Sequence, residues 1–151
     1  MKIVPGVYRN NKGSATVEFA LVSVLFVTLM LGIVEFGLMI RSYHTLSNAV
    51  YEGARAAAVG GTVSTIQNTV VTAAYGLNMS TSNVTVFRQA GSGSNPDDWV
   101  TSLADSGGHN DAASGEMILV LADCDHPMVT RFFYGGAATI PISASSVSRR
   151  E

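Results

Sequence analysis

The sequence predicts an α+β chain with a long N-terminal helix, transmembrane in its first half, a second helix packed against it, and a small antiparallel sheet of three or more strands. Three observations predict it. Residues 19–34 carry no charge, and residues 36–40 continue that apolar run after a single Glu35. Apolar residues then recur at three- and four-residue steps to about residue 58, the period of a helix with one buried face. Beyond residue 76 the period changes to two, as strands require.

Taken in order, residues 1–13 hold Lys2, Arg9 and Lys12 with Pro5 and two glycines, and are too short and polar to fold. Residues 14–59 contain no proline, and Gly32, Gly37 and Gly53 are single interruptions, so one helix of about 45 residues, roughly 67 Å, is the simplest reading. Its stretch 19–40 is roughly 33 Å long, one hydrocarbon core thick. After Arg41 the helix turns amphipathic through Leu46, Ala49, Val50, Gly53, Ala54, Ala57 and Ala58, a face suited to covering a globular head. Gly60 and Gly61 stop it, Thr62 caps a second helix, and Val63, Ile66, Val70, Val71 and Ala74 carry that helix to Gly76. Residues 62–151 make up the head domain. Its strands are predicted at 84–88, 117–121 and 138–147, with Pro141 placing the last at a sheet edge or giving it a bulge. Residues 91–115, rich in Gly, Ser, Asn and Asp, read as a long surface loop pinned by Trp99, Val100 and Leu103.

The charges divide at the apolar run. Lys2, Arg9 and Lys12 precede it with no acid, while the remainder carries six arginines, no lysine and all 11 acids. By the positive-inside rule the N-terminus stays cytoplasmic and the rest is exported, as a single-pass protein of the inner membrane. An acidic exported part excludes nucleic acid as the expected partner. Cys124 is the only cysteine, so stability must come from packing or assembly and not from an internal disulfide.

An ordinary secretory signal is cut after its apolar region, in small residues. Here Ala-x-Ala spacing falls only at sites such as Ala54 to Ala56, deep in a charged helical segment, which suits that reading poorly. Glu18 also needs a reason, because a carboxylate in a membrane run costs about 2.5–3.5 kcal/mol at mid-bilayer and less near the interface. The stretch Lys12-Gly13-Ser14-Ala15-Thr16-Val17-Glu18-Phe19 resembles the processing site of type IV prepilins, in the Gly-x4-Glu-aromatic form of the tight-adherence (Tad, or Flp) pilus family. Glu35-Phe36-Gly37, Asn48-Ala49, Glu52-Gly53-Ala54-Arg55 and the C-terminal run 143–151 extend the likeness to the TadE-like pseudopilins.

The resemblance implies that residues 1–13 are a basic leader removed between Gly13 and Ser14 by a membrane prepilin peptidase. It makes Ser14 the new N-terminus, with or without an N-methyl group. Glu18, followed by Phe19, then sits at mature position five, where it pairs with the N-terminal amine of an adjacent subunit. The partners so implied are other pilins or pseudopilins, the Tad inner-membrane assembly machinery, and membrane lipid before assembly. The end state is a minor pilin or pseudopilin that builds or primes an adhesive surface filament. Two other outcomes stay open: a main structural subunit of the filament, or a membrane-anchored binding domain that never polymerises and uses residues 91–115 as its contact surface. Glu18 on its own would also be tolerated in the headgroup region.

Among the remaining residues, Glu35 either contacts Arg41 of a neighbouring helix or meets water at the outer interface, and Glu52 with Arg55 forms an exposed helix pair. Asp123-Cys124-Asp125-His126, with His109 and Asp111 elsewhere, lacks metal-ligand spacing, and Cys124 reads as a small residue at a strand end, with an intermolecular disulfide as the lesser alternative. Asp97, Asp98, Asp105 and Asp111 lack the spacing of a calcium loop. Neither a nucleophile triad nor a phosphate-binding glycine loop is visible, so no enzyme, cofactor or metal is expected.

Overall fold

A computed structural model of the chain describes residues 12–89, 101–130, 135–136 and 138–151. The expected leader up to residue 11, the loop residues Asp97, Asp98, Trp99 and Val100, and Arg131 lie outside the described residues.

Helix α1 runs over Lys12–Ala58, 47 residues and about 70 Å of axis. It starts two residues before the expected 14, because Lys12 and Gly13 simply continue its first turn. Within the apolar stretch the hydroxyls are absorbed locally: Ser23 donates to Ala20 O at 2.9 Å and Thr28 to Val24 O at 2.8 Å. Such back-bonding satisfies hydroxyls that lie on an otherwise apolar helix surface.

A Schellman motif closes the helix. Gly60 takes φ +85°, Gly60 N–H donates to Ala57 O at 3.0 Å and Gly61 N–H to Ala56 O at 2.9 Å. Asn110 then donates through one amide nitrogen to Ala57 O and Gly61 O, both at 3.0 Å, and Arg150 donates to Ala58 O at 3.1 Å. Residues far along the chain thus satisfy the carbonyls that a helix end leaves open. Helix α2, Val63–Ala73, is capped by the Thr62 hydroxyl, which accepts from Thr65 N–H at 3.2 Å.

The strands are β1 (Val84–Arg88), β2 (Thr101–Ser102), β3 (Asp105–Ser106), β4 (His109–Asn110), β5 (Met117–Pro127) and β6 (Thr139–Arg149). The main sheet is antiparallel in the order β2-β1-β5-β6, and β3 with β4 makes a separate two-stranded ribbon. β5 and β6 pair along their whole length, from Met117 opposite Arg149 to Pro127 opposite Thr139. Pro141 lies on β6, an edge strand of this sheet, where a missing N–H need not break a ladder on both sides.

The core lies between one face of this sheet and the two helices. α1 packs across β5 and β6, α2 packs beside α1, and Leu46, Ala49, Val50, Ile66, Val70, Ile118, Val120 and Ala122 are completely enclosed. Glycine 53 permits the close approach: a Cβ there would collide with Val70 Cγ2.

Two expectations need correction. β5 runs on past residue 121, so Cys124 lies inside a strand, opposite Ile142, and not at its end. Of the expected loop 91–115, the described part, 101–115, is more than a plain surface loop, since it supplies β2, β3 and β4, with Leu103 buried.

Candidate functional site

The N-terminal helix divides into two environments. From Gly13 to Ile33 almost every side chain is exposed, including Val17, Phe19, Leu25 and Phe26. From Leu46 onward one face is fully buried in the head. The 18-residue window that is most apolar has a mean hydropathy of 2.5, and none of it is covered. Length and composition suit this helix to crossing a membrane.

At its start, a Cβ on Gly13 would meet no described atom of another part of the chain within 4 Å. Ser14 Oγ donates to Glu18 Oε1 at 3.4 Å, one turn away, on an exposed surface. Among the described residues no basic side chain reaches Glu18. An acid so placed has its charge available to something outside the chain.

Glu35 behaves differently. Although it sits in the apolar stretch, it is only 7% exposed. Its Oε1 accepts from Val129 N–H at 3.0 Å, and its Oε2 accepts from Thr130 N–H at 2.9 Å and from the Thr130 hydroxyl at 3.1 Å. β5 ends at Pro127, so the N–H groups of Val129 and Thr130 have left the strand ladder and would otherwise lack acceptors. The carboxylate and the two amides satisfy each other. Within the chain, the partners of Glu35 belong to its own head domain.

Residues 13–55 match the family model described as TadE-like protein. Over that segment the chain is similar to the TadE-like family. A search of curated proteins and a search of solved structures return no match. The TadE-like segment covers Glu18, the exposed apolar sleeve, Glu35 and the first turns of the head-facing half, whereas α2 and the sheet lie beyond it.

Within the TadE-like segment, Arg41 is exposed on the turn that follows the apolar run and forms no ion pair among the described residues. Glu52 and Arg55 meet at 3.6 Å with both side chains largely in solvent, worth a few tenths of a kcal/mol at most. Outside it, β5 alternates: Cys124 and His126 face the helices while Asp123 and Asp125 face outward. The four residues therefore cannot converge on one ion. Burial, with Asp125 as a lesser cause, pushes the Cys124 thiol above its ordinary pKa. His126 is 6% exposed, and neither ring nitrogen has a hydrogen-bond partner among the described residues.

Sequence reasoning missed the partners of Glu35. They are backbone amides 94 and 95 residues away, and every non-proline residue carries such a donor, so no residue type announces them.

Proposed function

We propose that the chain is a minor pilin or pseudopilin of the Tad type IV pilus system, non-enzymatic, and used to build or prime an adhesive surface filament. The TadE-like match marks a Tad pilus-associated protein. On this reading a prepilin peptidase cuts between Gly13 and Ser14 at the cytoplasmic face of the inner membrane, and the helix stays in the bilayer with the head exported. The Ser14 ammonium and Glu18 carboxylate of adjacent subunits then pair as the apolar helices bundle with those of other pilins.

The observation that carries the reading is the arrangement of the arm: a TadE-like helix that presents Glu18 and a sleeve of exposed apolar residues from Val17 to Ile33, with nothing from the described part of its own head covering either. In a low-dielectric bundle an unpaired carboxylate is strongly disfavoured, and a neighbouring amino terminus is the nearest cation that cleavage creates.

Mass spectrometry of the membrane fraction tests the processing step. A mature chain beginning at Ser14 is expected, and an intact Met1 or a cut beyond Ala49 overturns it. The Glu18→Ala variant should insert normally yet fail to cross-link to other pilins; normal assembly would remove the pairing argument. Sheared filaments separate the roles, since a trace quantity fits a minor pilin, a dominant one fits a main subunit, and none fits an anchored domain that does not polymerise.

A further inference from the structure

On the reading that α1 anchors the chain in a bilayer, we propose that the outer edge of β6 docks an extended strand of another protein chain, laid antiparallel to β6 beside the flank of α1. No described strand lies beyond β6 in the main sheet. The ladder fixes which backbone groups that edge offers. Arg150 N–H donates to Glu116 O at 2.8 Å and Gln89 N–H to Met117 O at 3.0 Å, so even-numbered residues of β5 bond toward β6 and odd-numbered ones toward β1. By the alternation of antiparallel pairs, Ser143, Ser145, Val147 and Arg149 turn both N–H and C=O to the outer edge, where nothing among the described residues bonds them.

Sheet edges are ordinarily blunted by charges, proline or a covering element, because a row of unpaired backbone groups templates another strand. Here Pro141 ends the row on one side, its missing N–H falling at an outward position, and Ile142 to Ser148 carry no charge. Ser143 and Ser145 are exposed and too small to bar an approaching chain. An extended backbone is the ligand whose donors and acceptors repeat at this spacing.

The surroundings select the strand. Arg41 and Thr45 of α1 share a cleft with the residues after α2, and Glu52 shares one with α2 itself. At about 100° per residue, Tyr43, Ser47 and Tyr51 lie on the opposite flank of the helix, toward β6, and the two tyrosines are 49% and 59% exposed. A strand docked on β6 places alternate side chains against that flank, so apolar residues belong there. Its other side chains share the solvent face with Ser143, Ser145, Val147 and Arg149. Arg149 forms no ion pair among the described residues, so an acid opposite it completes the match. A second β6 does not fit. α1 runs the same way as β6, from Glu35 beside Val129 to Ala58, whose carbonyl accepts from Glu151 N–H. Antiparallel pairing of two β6 strands would therefore send the two arms in opposite directions, which a shared bilayer forbids.

The test uses the full chain in detergent micelles and a fluorescent peptide, Glu-Val-Thr-Val-Thr-Val-Thr, long enough to span residues 143–149. Anisotropy should show saturable binding. N-methyl groups on the threonine amides, which point at β6, should weaken it at least about tenfold, whereas N-methyl groups on the valine amides, which point away, should not. Exchanging the peptide's glutamate for glutamine should cost wild type about tenfold and Arg149→Gln nothing. Tyr51→Ser, at an exposed position, should weaken binding with the fold intact, and Ser145→Pro, which removes an outward N–H, should abolish it. Flotation of the same chain with phospholipid vesicles reports the membrane reading separately. A folded chain that floats but binds no peptide, or binds both N-methylated peptides equally, overturns the edge proposal and leaves the membrane reading intact. One that does not float overturns the membrane reading and, with it, the choice of another protein over a second copy. A dimer that Ser145→Pro dissolves gives the edge to a second copy and also overturns the proposal.

Discussion

Glu35 and Cys124 show how single residues are reassigned by their surroundings. A carboxylate in an apolar stretch is expensive unless hydrogen-bonded, and Glu35 meets that condition through two amides and a hydroxyl of the head. The contact should stiffen the junction between arm and head. In Glu35→Ala the amides of Val129 and Thr130 lose their acceptors, and their hydrogen exchange should quicken on the order of tenfold, whereas Glu35→Gln, which keeps one acceptor oxygen, should show a smaller change. Unchanged exchange would show the bonds to be incidental. Cys124 gives a pH prediction. With its thiol pKa raised by burial, the folded chain holds the proton where the unfolded chain releases it, so stability should fall as pH rises through the unfolded thiol's pKa and upward. Urea titrations at pH 7, 9 and 10, compared with Cys124→Ala, read this out; a difference that grows toward acid would contradict the sign.

Elements impose tighter conditions. α1 and α2 meet across Gly53, where the Val70 side chain occupies the space a Cβ would need. Gly53→Leu should therefore lower stability by about 3 kcal/mol through overpacking, despite leucine's better helix propensity, and chemical denaturation will measure it. An unchanged midpoint would mean that the two helices can part freely. The same scale explains a misread strand. The run 117–121 looked like a complete strand because Asp123 and Asp125 interrupt its apolar character, yet on a sheet with one open face charges belong at outward positions. The inward positions stay small or apolar through Ala122 and Cys124 before reaching His126, so the period of two continues beneath a change in residue type. β2 left no such trace, since Thr101 and Ser102 pair with Arg88 and Phe87 through backbone groups common to all residues.

For the molecule as a whole, one continuous helix serves two media. Leu46 and Leu25 are the same residue on the same helix, the first fully enclosed and the second 69% exposed. Leu46→Ala should destabilise the head by about 2–5 kcal/mol, whereas Leu25→Ala should leave head stability within about 0.5 kcal/mol. Denaturation of both variants in detergent makes the comparison. Equal losses would show that arm and head unfold as a unit with a shared core.

What the sequence determined by itself is local and chemical. The apolar run, the amphipathic switch after Arg41, the Gly60 stop and the Thr62 cap each act within a few residues, and so does the Gly-x4-Glu-Phe pattern that the TadE-like match later covered. Tertiary structure alone decided which atoms Glu35 bonds, how far β5 extends, and which helix faces the sheet encloses. Those outcomes depend on backbone amides and packing faces brought together across more than 90 residues, and a backbone amide has no letter in a sequence.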